Sequence, residues 1–206
     1  MFTENDAYIV GLTGMSGAGK TTACQVFSDC GFAIINCDLV SRAVVEKGRP
    51  ALSELEAHFG TGIILTDGTL DRKTMGNLIF SDKKAREEFN EIIYPYISYE
   101  MIISAVKYIN SGHRFILLDA PTLFESGIDS FCDIIVSVIA DREECLRRIM
   151  TRDKLTFDEA RNRLLSQFSP EFYREKSDFC AVNKGTVKEL QAEIKRIAQL
   201  IGEKNA

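Results

Sequence analysis

Five short runs of apolar residues, mostly β-branched or aromatic, recur along the chain at positions 8–12, 32–35, 115–118, 134–139 and 179–182. The stretches between them carry apolar residues at three-to-four spacing, the period of a helix with one buried face. Strands that are apolar throughout are covered on both faces, and strands that alternate with helices pair in parallel. The pattern therefore predicts an α/β fold of three layers, with a parallel five-stranded sheet between helices. The second and third runs stand about eighty residues apart. That is too much chain for one crossover, so it reads as an inserted helical region.

Inside the insertion, Pro50 and Gly60 frame an apolar-periodic segment, the usual asymmetry of a short helix. His58 lies beside its apolar face, where a histidine is either a packed or surface side chain or a general base. From 82 to 111 the spacing is again helical, but Pro95 interrupts it, which leaves two helices or one kinked helix open. Further on, Thr156-Phe157-Asp158-Glu159 matches a capping box, so 142–167 reads as two helices joined around Arg152-Asp153.

The first apolar run leads into Gly14-Met15-Ser16-Gly17-Ala18-Gly19-Lys20-Thr21, followed by Thr22 and a helical pattern. A glycine, four residues and then Gly-Lys-Thr between a strand and a helix is the phosphate-cradling P-loop pattern. Gly14, Gly17, Ala18 and Gly19 let backbone N–H groups converge on phosphate oxygens, and the helix N-terminus beginning near Thr22 favours the anion. Lys20 would reach the β and γ phosphates, and the Thr21 hydroxyl would ligate Mg2+. The loop says that a nucleoside triphosphate binds, and kinases, motor ATPases and switch GTPases share it. A guanine-reading Asn-Lys-x-Asp segment is incomplete here, since Asn183-Lys184-Gly185 is followed by Thr186.

Composition narrows the classes further. At 206 residues the chain has room for one large α/β unit with an insertion. A formal net charge of −5 argues against a general nucleic-acid binder, so an anionic substrate must be met by a local cluster of cations. Neither a membrane span nor a signal peptide is legible, which predicts a cytoplasmic protein without a membrane partner. The six cysteines lack metal-site spacing and read as small buried hydrophobes in a reducing compartment.

Against this acidic background, Arg147, Arg148, Arg152, Arg161 and Arg163 are concentrated after the fourth run. They form either a solvated charged face or, as we favour from their position, a lid over transferred phosphate. Asp38 lies just beyond the second run, where ligands sit in open α/β sheets, and Arg42 would share its helix face. The pair is either an acceptor site or a surface ion pair. Asp119 ends the third run as either a carboxylate facing magnesium or a structural cap.

With these residues in view the chain resembles the dephospho-coenzyme A kinase family over nearly its whole length. The resemblance is carried by the P-loop, Cys37-Asp38-Leu39-Val40-Ser41-Arg42, Gly68-Thr69-Leu70-Asp71-Arg72 with Ile79-Phe80, and Ala120-Pro121-Thr122-Leu123-Phe124-Glu125. Arg148, Arg152-Asp153, Arg163 and Gln167 stand at the spacings of the family's lid, and Asp178 and Asn183 at the ends of its last element. Tyr94 before Pro95, where His-Pro is common, and Asn36, where an acidic residue often stands, depart from the pattern. The resemblance implies a P-loop kinase fold with a core at about 1–45, 112–141 and 177–206, a substrate-binding insertion at about 46–111 and a lid at about 142–176. It implies ATP and dephospho-CoA as substrates, Asp38, Lys20 and Arg152 as catalytic residues, Asn183 and Gly185 beside the adenine, and Arg42 and Tyr94 toward the acceptor. A kinase for another nucleoside, nucleotide or small alcohol is the alternative within the class, and a nucleotide-sensing switch the alternative outside it.

Overall fold

The computed structural model describes residues 7–204. Five strands, β1 (Tyr8–Gly14), β2 (Ala33–Asn36), β3 (Phe115–Asp119), β4 (Ile134–Ala140) and β5 (Phe179–Asn183), form one sheet in the order β2-β3-β1-β4-β5. The sheet is parallel, as the apolar runs predict, with β1 at its centre between β3 and β4. Asp133 and Asp178 fasten its N-terminal edge, their carboxylates accepting from Ile9 N and Ile135 N, each at 2.8 Å.

Helices α1 (Lys20–Asp29), α2 (Cys37–Ala43), α3 (Pro50–Phe59), α4 (Arg72–Ser81) and α5 (Lys83–Asn110) precede β3. Helix α5 is one helix through Pro95, which settles the alternative left open by its sequence. A single proline removes one N–H, and the flanking turns bury Ile93, Ile97 and Met101 at helical spacing. Helices α6 (Arg142–Asp153), α7 (Phe157–Leu165) and α8 (Pro170–Lys176) lie between β4 and β5, and α9 (Val187–Lys204) closes the chain. Thr156 and Glu159 form the expected capping box of α7, and Asp141, with Oδ1 accepting from Glu143 N at 2.9 Å, caps α6.

Two compact units result, residues 7–35 with 108–204, and Asn36–Lys107. In the first, both faces of the sheet are apolar, and α9 buries Leu190, Ile194, Ile197, Ala198 and Ile201 on one stripe against α1 and β5. Burial of each large side chain contributes about 1.5–3 kcal/mol. The second unit holds α2 to α4 and most of α5, with Leu52, Leu55, Ile63 and Met75 buried. Asn36 stands at the start of α2, its Oδ1 accepting from Leu39 N at 2.9 Å, a capping role that an acidic residue also fills. No helix among the described residues is long and apolar enough to cross a membrane.

Phe172 and Tyr173 of α8 pack with Phe124 and Phe168 in an aromatic cluster, with Phe168 and Phe172 stacked at 3.9 Å. The Tyr173 side chain is fully buried, and burial, with Glu125 nearby, pushes its phenol up to about 12. Its hydroxyl has no hydrogen-bond partner among the described residues. Removing a buried unpaired hydroxyl relieves a desolvation cost, so Tyr173→Phe is expected to leave stability unchanged or raise it by up to about 1 kcal/mol. Urea unfolding checks this, and a loss above about 1 kcal/mol would mean that the hydroxyl has a partner.

Candidate active site

β1 runs to Gly14, and the chain turns over the C-terminal edge of the sheet before α1 starts at Lys20. The turn is wedged between β4 and α6. Gly14 has φ +139°, and a Cβ there would lie 2.1 Å from the Val138 carbonyl oxygen; at Gly17, φ +79°, a Cβ would lie 2.7 Å from the Cys145 carbonyl oxygen. Only glycine accepts both the backbone angle and the contact.

Several backbone groups of the loop are held by the protein. Met15 N donates to Val138 O at 3.1 Å, and Ala18 N to Met15 O at 3.1 Å. Asn183 Nδ2 donates to Ala18 O at 2.7 Å, Arg148 to Gly17 O at 3.2 Å, and Ser16 N to Gln167 Oε1 at 2.9 Å. The first-turn N–H groups of α1 have no acceptor within the helix, and its dipole makes that end attractive to an anion.

A cavity of about 420 Å3 opens over this loop. Ser16, Gly17, Lys20 and Thr21 line one side, and Pro121, Arg148, Arg152, Arg163 and Gln167 the other. One lysine and three arginines thus converge in an acidic chain, the local cluster that an anionic ligand requires. Lys20 Nζ is paired with Asp119 Oδ1 at the end of β3, and both side chains are largely shielded from solvent. Asp153 accepts from Arg152 Nε at 2.7 Å and from Arg163 at 2.7 Å, tying α6 to α7. The Arg152 hydrogen bond, with Arg163 beside it, holds the Asp153 carboxyl below the usual carboxylate range, so the pairs persist at neutral pH. Arg147 instead pairs with Glu144 on its own helix.

Gly14, Gly17, Gly19, Lys20, Thr21 and Arg152 therefore come together around one cavity, while Ala18 and Thr22 continue the loop and α1. Asn183 is buried at the end of β5, and its amide is occupied, by Ala18 O and by Gly185 N at 3.2 Å. Gly185 O accepts from Arg148 at 3.4 Å. Asp38 and Arg42 are exposed on α2 and Tyr94 is half-buried on α5, all in the second unit. Among the described residues, no ion pair joins Asp38 to Arg42. His58 is an exposed partner of Glu88, at 3.1 Å. The six cysteines are free, and burial raises the Cys24 and Cys145 thiols to about 11, which leaves them unreactive.

Among the described residues no group of three or more His, Cys, Asp or Glu side chains could cage a metal ion. Mg2+ does not need one, because it binds through one or two protein oxygens together with substrate phosphates. The Thr21 hydroxyl at the cavity and the Asp119 carboxylate beside Lys20 are donors of that kind.

A phosphate-cradling loop leaving the central strand of a parallel sheet, with arginine-bearing helices over it, defines a P-loop kinase fold. A sequence profile described as dephospho-CoA kinase matches residues 8–189. Dephospho-CoA kinase from Bacillus licheniformis is 33% identical over 189 residues, which is 92% of this chain and 94% of that one. The enzyme of the same name from Listeria innocua is 36% identical over 90% of this chain and 92% of its own. The solved structure of dephospho-CoA kinase from Campylobacter jejuni has the same fold, with a TM-score of 0.70, 23% identity, and coverage of 96% of this chain and 98% of that one. The chain belongs to the dephospho-CoA kinase family.

The loop and the arginines are legible in the sequence, whereas the contacts Asn183–Ala18, Gln167–Ser16 and Lys20–Asp119 are not. The available signal for Asn183 is an amide directly after an apolar strand. Asn183→Asp sets a carboxylate against the Ala18 carbonyl, so the nucleotide-free protein is expected to lose about 1–3 kcal/mol of stability. Thermal or urea unfolding without ligand checks this; unchanged stability would mean that the amide does not support the loop.

Proposed function

We propose that this protein transfers the γ-phosphoryl group of ATP to the ribose 3′-hydroxyl of dephospho-CoA, giving CoA and ADP, the last step of coenzyme A biosynthesis. The observation that carries the reading is the family match across residues 8–189, which spans the phosphate loop, the inserted helices and the arginine-bearing helices alike. Cytoplasmic ATP is the donor in this reading.

In the reaction the 3′-oxygen forms a bond to the γ-phosphorus as the bond to the β–γ bridging oxygen breaks, and the hydroxyl proton passes to a carboxylate. We assign that carboxylate to Asp38, which orients the hydroxyl and accepts its proton. Phosphoryl transfer is largely dissociative, so positioning carries more of the effect than basicity does. Lys20 leaves Asp119 for the β and γ oxygens, and Arg152 meets charge on the migrating group from the lid. The loop N–H groups hold the β phosphate as ADP departs. Thr21, with Asp119 nearby, would hold Mg2+, which when bound neutralises charge on the β and γ oxygens. Asn183 and Gly185 border the adenine, with the Asn183 side chain supporting the loop. Arg42 and Tyr94 contact the acceptor.

Incubation with ATP, Mg2+ and dephospho-CoA is expected to yield equimolar ADP and CoA, while AMP, nucleosides and small alcohols remain poor acceptors. Preference for a nucleotide, or ATP binding without acceptor-dependent ADP release, would contradict the proposal. Asp38→Asn is expected to lower kcat by about 100-fold or more while ATP affinity stays within about twofold. Wild-type turnover in that variant would remove Asp38 from the mechanism.

A further inference from the structure

The geometry points to Gln167 as a positioning residue for the triphosphate: its side-chain amide accepts the Ser16 N–H of the phosphate loop and presents its own N–H2 toward the ligand. The carbonyl half is direct, with Ser16 N 2.9 Å from Gln167 Oε1. The amino half follows from what surrounds it. Gln167 lines the cavity over the loop, and its Nε2 has no partner among the described residues. An amide whose oxygen is fixed by a backbone donor has its nitrogen orientation fixed too, so the pair of free N–H bonds becomes a preset donor for an anion.

The position of Gln167 in the chain gives this bond a second effect. Gln167 follows the C-cap of α7, four residues after Arg163, and Arg163 shares Asp153 with Arg152. Arg148 ties α6 to the loop at Gly17 O, and Gln167 ties the end of α7 to it at Ser16 N. Both arginine-bearing helices are thereby referenced to the loop that they cover, each by one side chain. Loss of the Gln167 tie leaves the fold intact, because α7 still packs on α6 and keeps its capping box, but it leaves Arg148 on α6 to reference the arginine-bearing helices to the loop and loosens Arg163 on α7. Misplacement of charged groups by about 1 Å is enough to cost transition-state stabilisation.

The test compares two variants. Gln167→Met keeps length and volume but has no strong acceptor and no donor; Gln167→Glu keeps the acceptor for Ser16 and replaces the donor with negative charge. In the nucleotide-free protein, amide exchange at Ser16, followed by NMR, is expected to quicken roughly tenfold in Gln167→Met and to match wild type in Gln167→Glu. Calorimetric ATP affinity is expected to fall roughly tenfold in Gln167→Met and further in Gln167→Glu, where the carboxylate faces phosphate. These readouts need no acceptor, so they stand or fall separately from the assignment of dephospho-CoA. With dephospho-CoA as acceptor, both variants are expected to show a lower kcat with an unchanged KM for dephospho-CoA. Unaltered Ser16 exchange in Gln167→Met would overturn the inference. So would tighter ATP binding in that variant, which would make Gln167 a competitor of the phosphate.

Discussion

Everything at this site depends on how closely the phosphate loop approaches its neighbours. Between Gly14 and Gly17 the backbone is pressed against the Val138 carbonyl of β4 on one side and the Cys145 carbonyl at the start of α6 on the other. A loop held that tightly has few alternative conformations, so little backbone reorganisation is needed when a ligand arrives. The side-chain bonds from Asn183, Arg148 and Gln167 complete the hold, drawing on β5, α6 and the turn after α7. The strand order makes this possible: β4 and β5, with the helices that join them, lie on one side of β1 and reach its C-terminal end.

The same arrangement explains how an acidic protein offers a site for polyanions. Lys20 rests against Asp119, Arg148 against Glu144, and Arg152 and Arg163 share Asp153, so each cation that lines the cavity has a carboxylate beside it. The carboxylates offset the mutual repulsion of the clustered cations. The family membership places this charge arrangement in a phosphoryl-transfer enzyme, and the pairing accounts for how the cluster is stable without its ligand.

The strands were legible because each is built on a run of mostly apolar residues, as in Tyr8 to Leu12 of β1. β1 extends two residues beyond that run because Thr13 and Gly14 pair with Ser137 and Val138 of β4, and the buried Thr13 hydroxyl donates to Pro121 O at 3.3 Å. The helix through Pro95 was ambiguous, since local sequence records the missing N–H but not the packing that outweighs it. The loop and Lys20 were legible from spacing alone. The roles of Asn183 and Gln167 at Ala18 and Ser16 were not, because they arise from strand order and from the return of the chain after α7, which no local pattern encodes. Asp119 was half legible: a carboxylate at a strand end is visible in sequence, whereas its pairing with Lys20 depends on β3 lying beside β1.

A crystal structure with Mg2+ and a non-hydrolysable ATP analogue is the most direct test of a preset cradle. The account predicts that the backbone from Gly14 to Thr21 superposes on the ligand-free loop within about 1 Å, with Lys20 Nζ moved from Asp119 to the phosphates. A loop that refolds around the ligand, or a triphosphate bound elsewhere while Lys20 stays on Asp119, would contradict it.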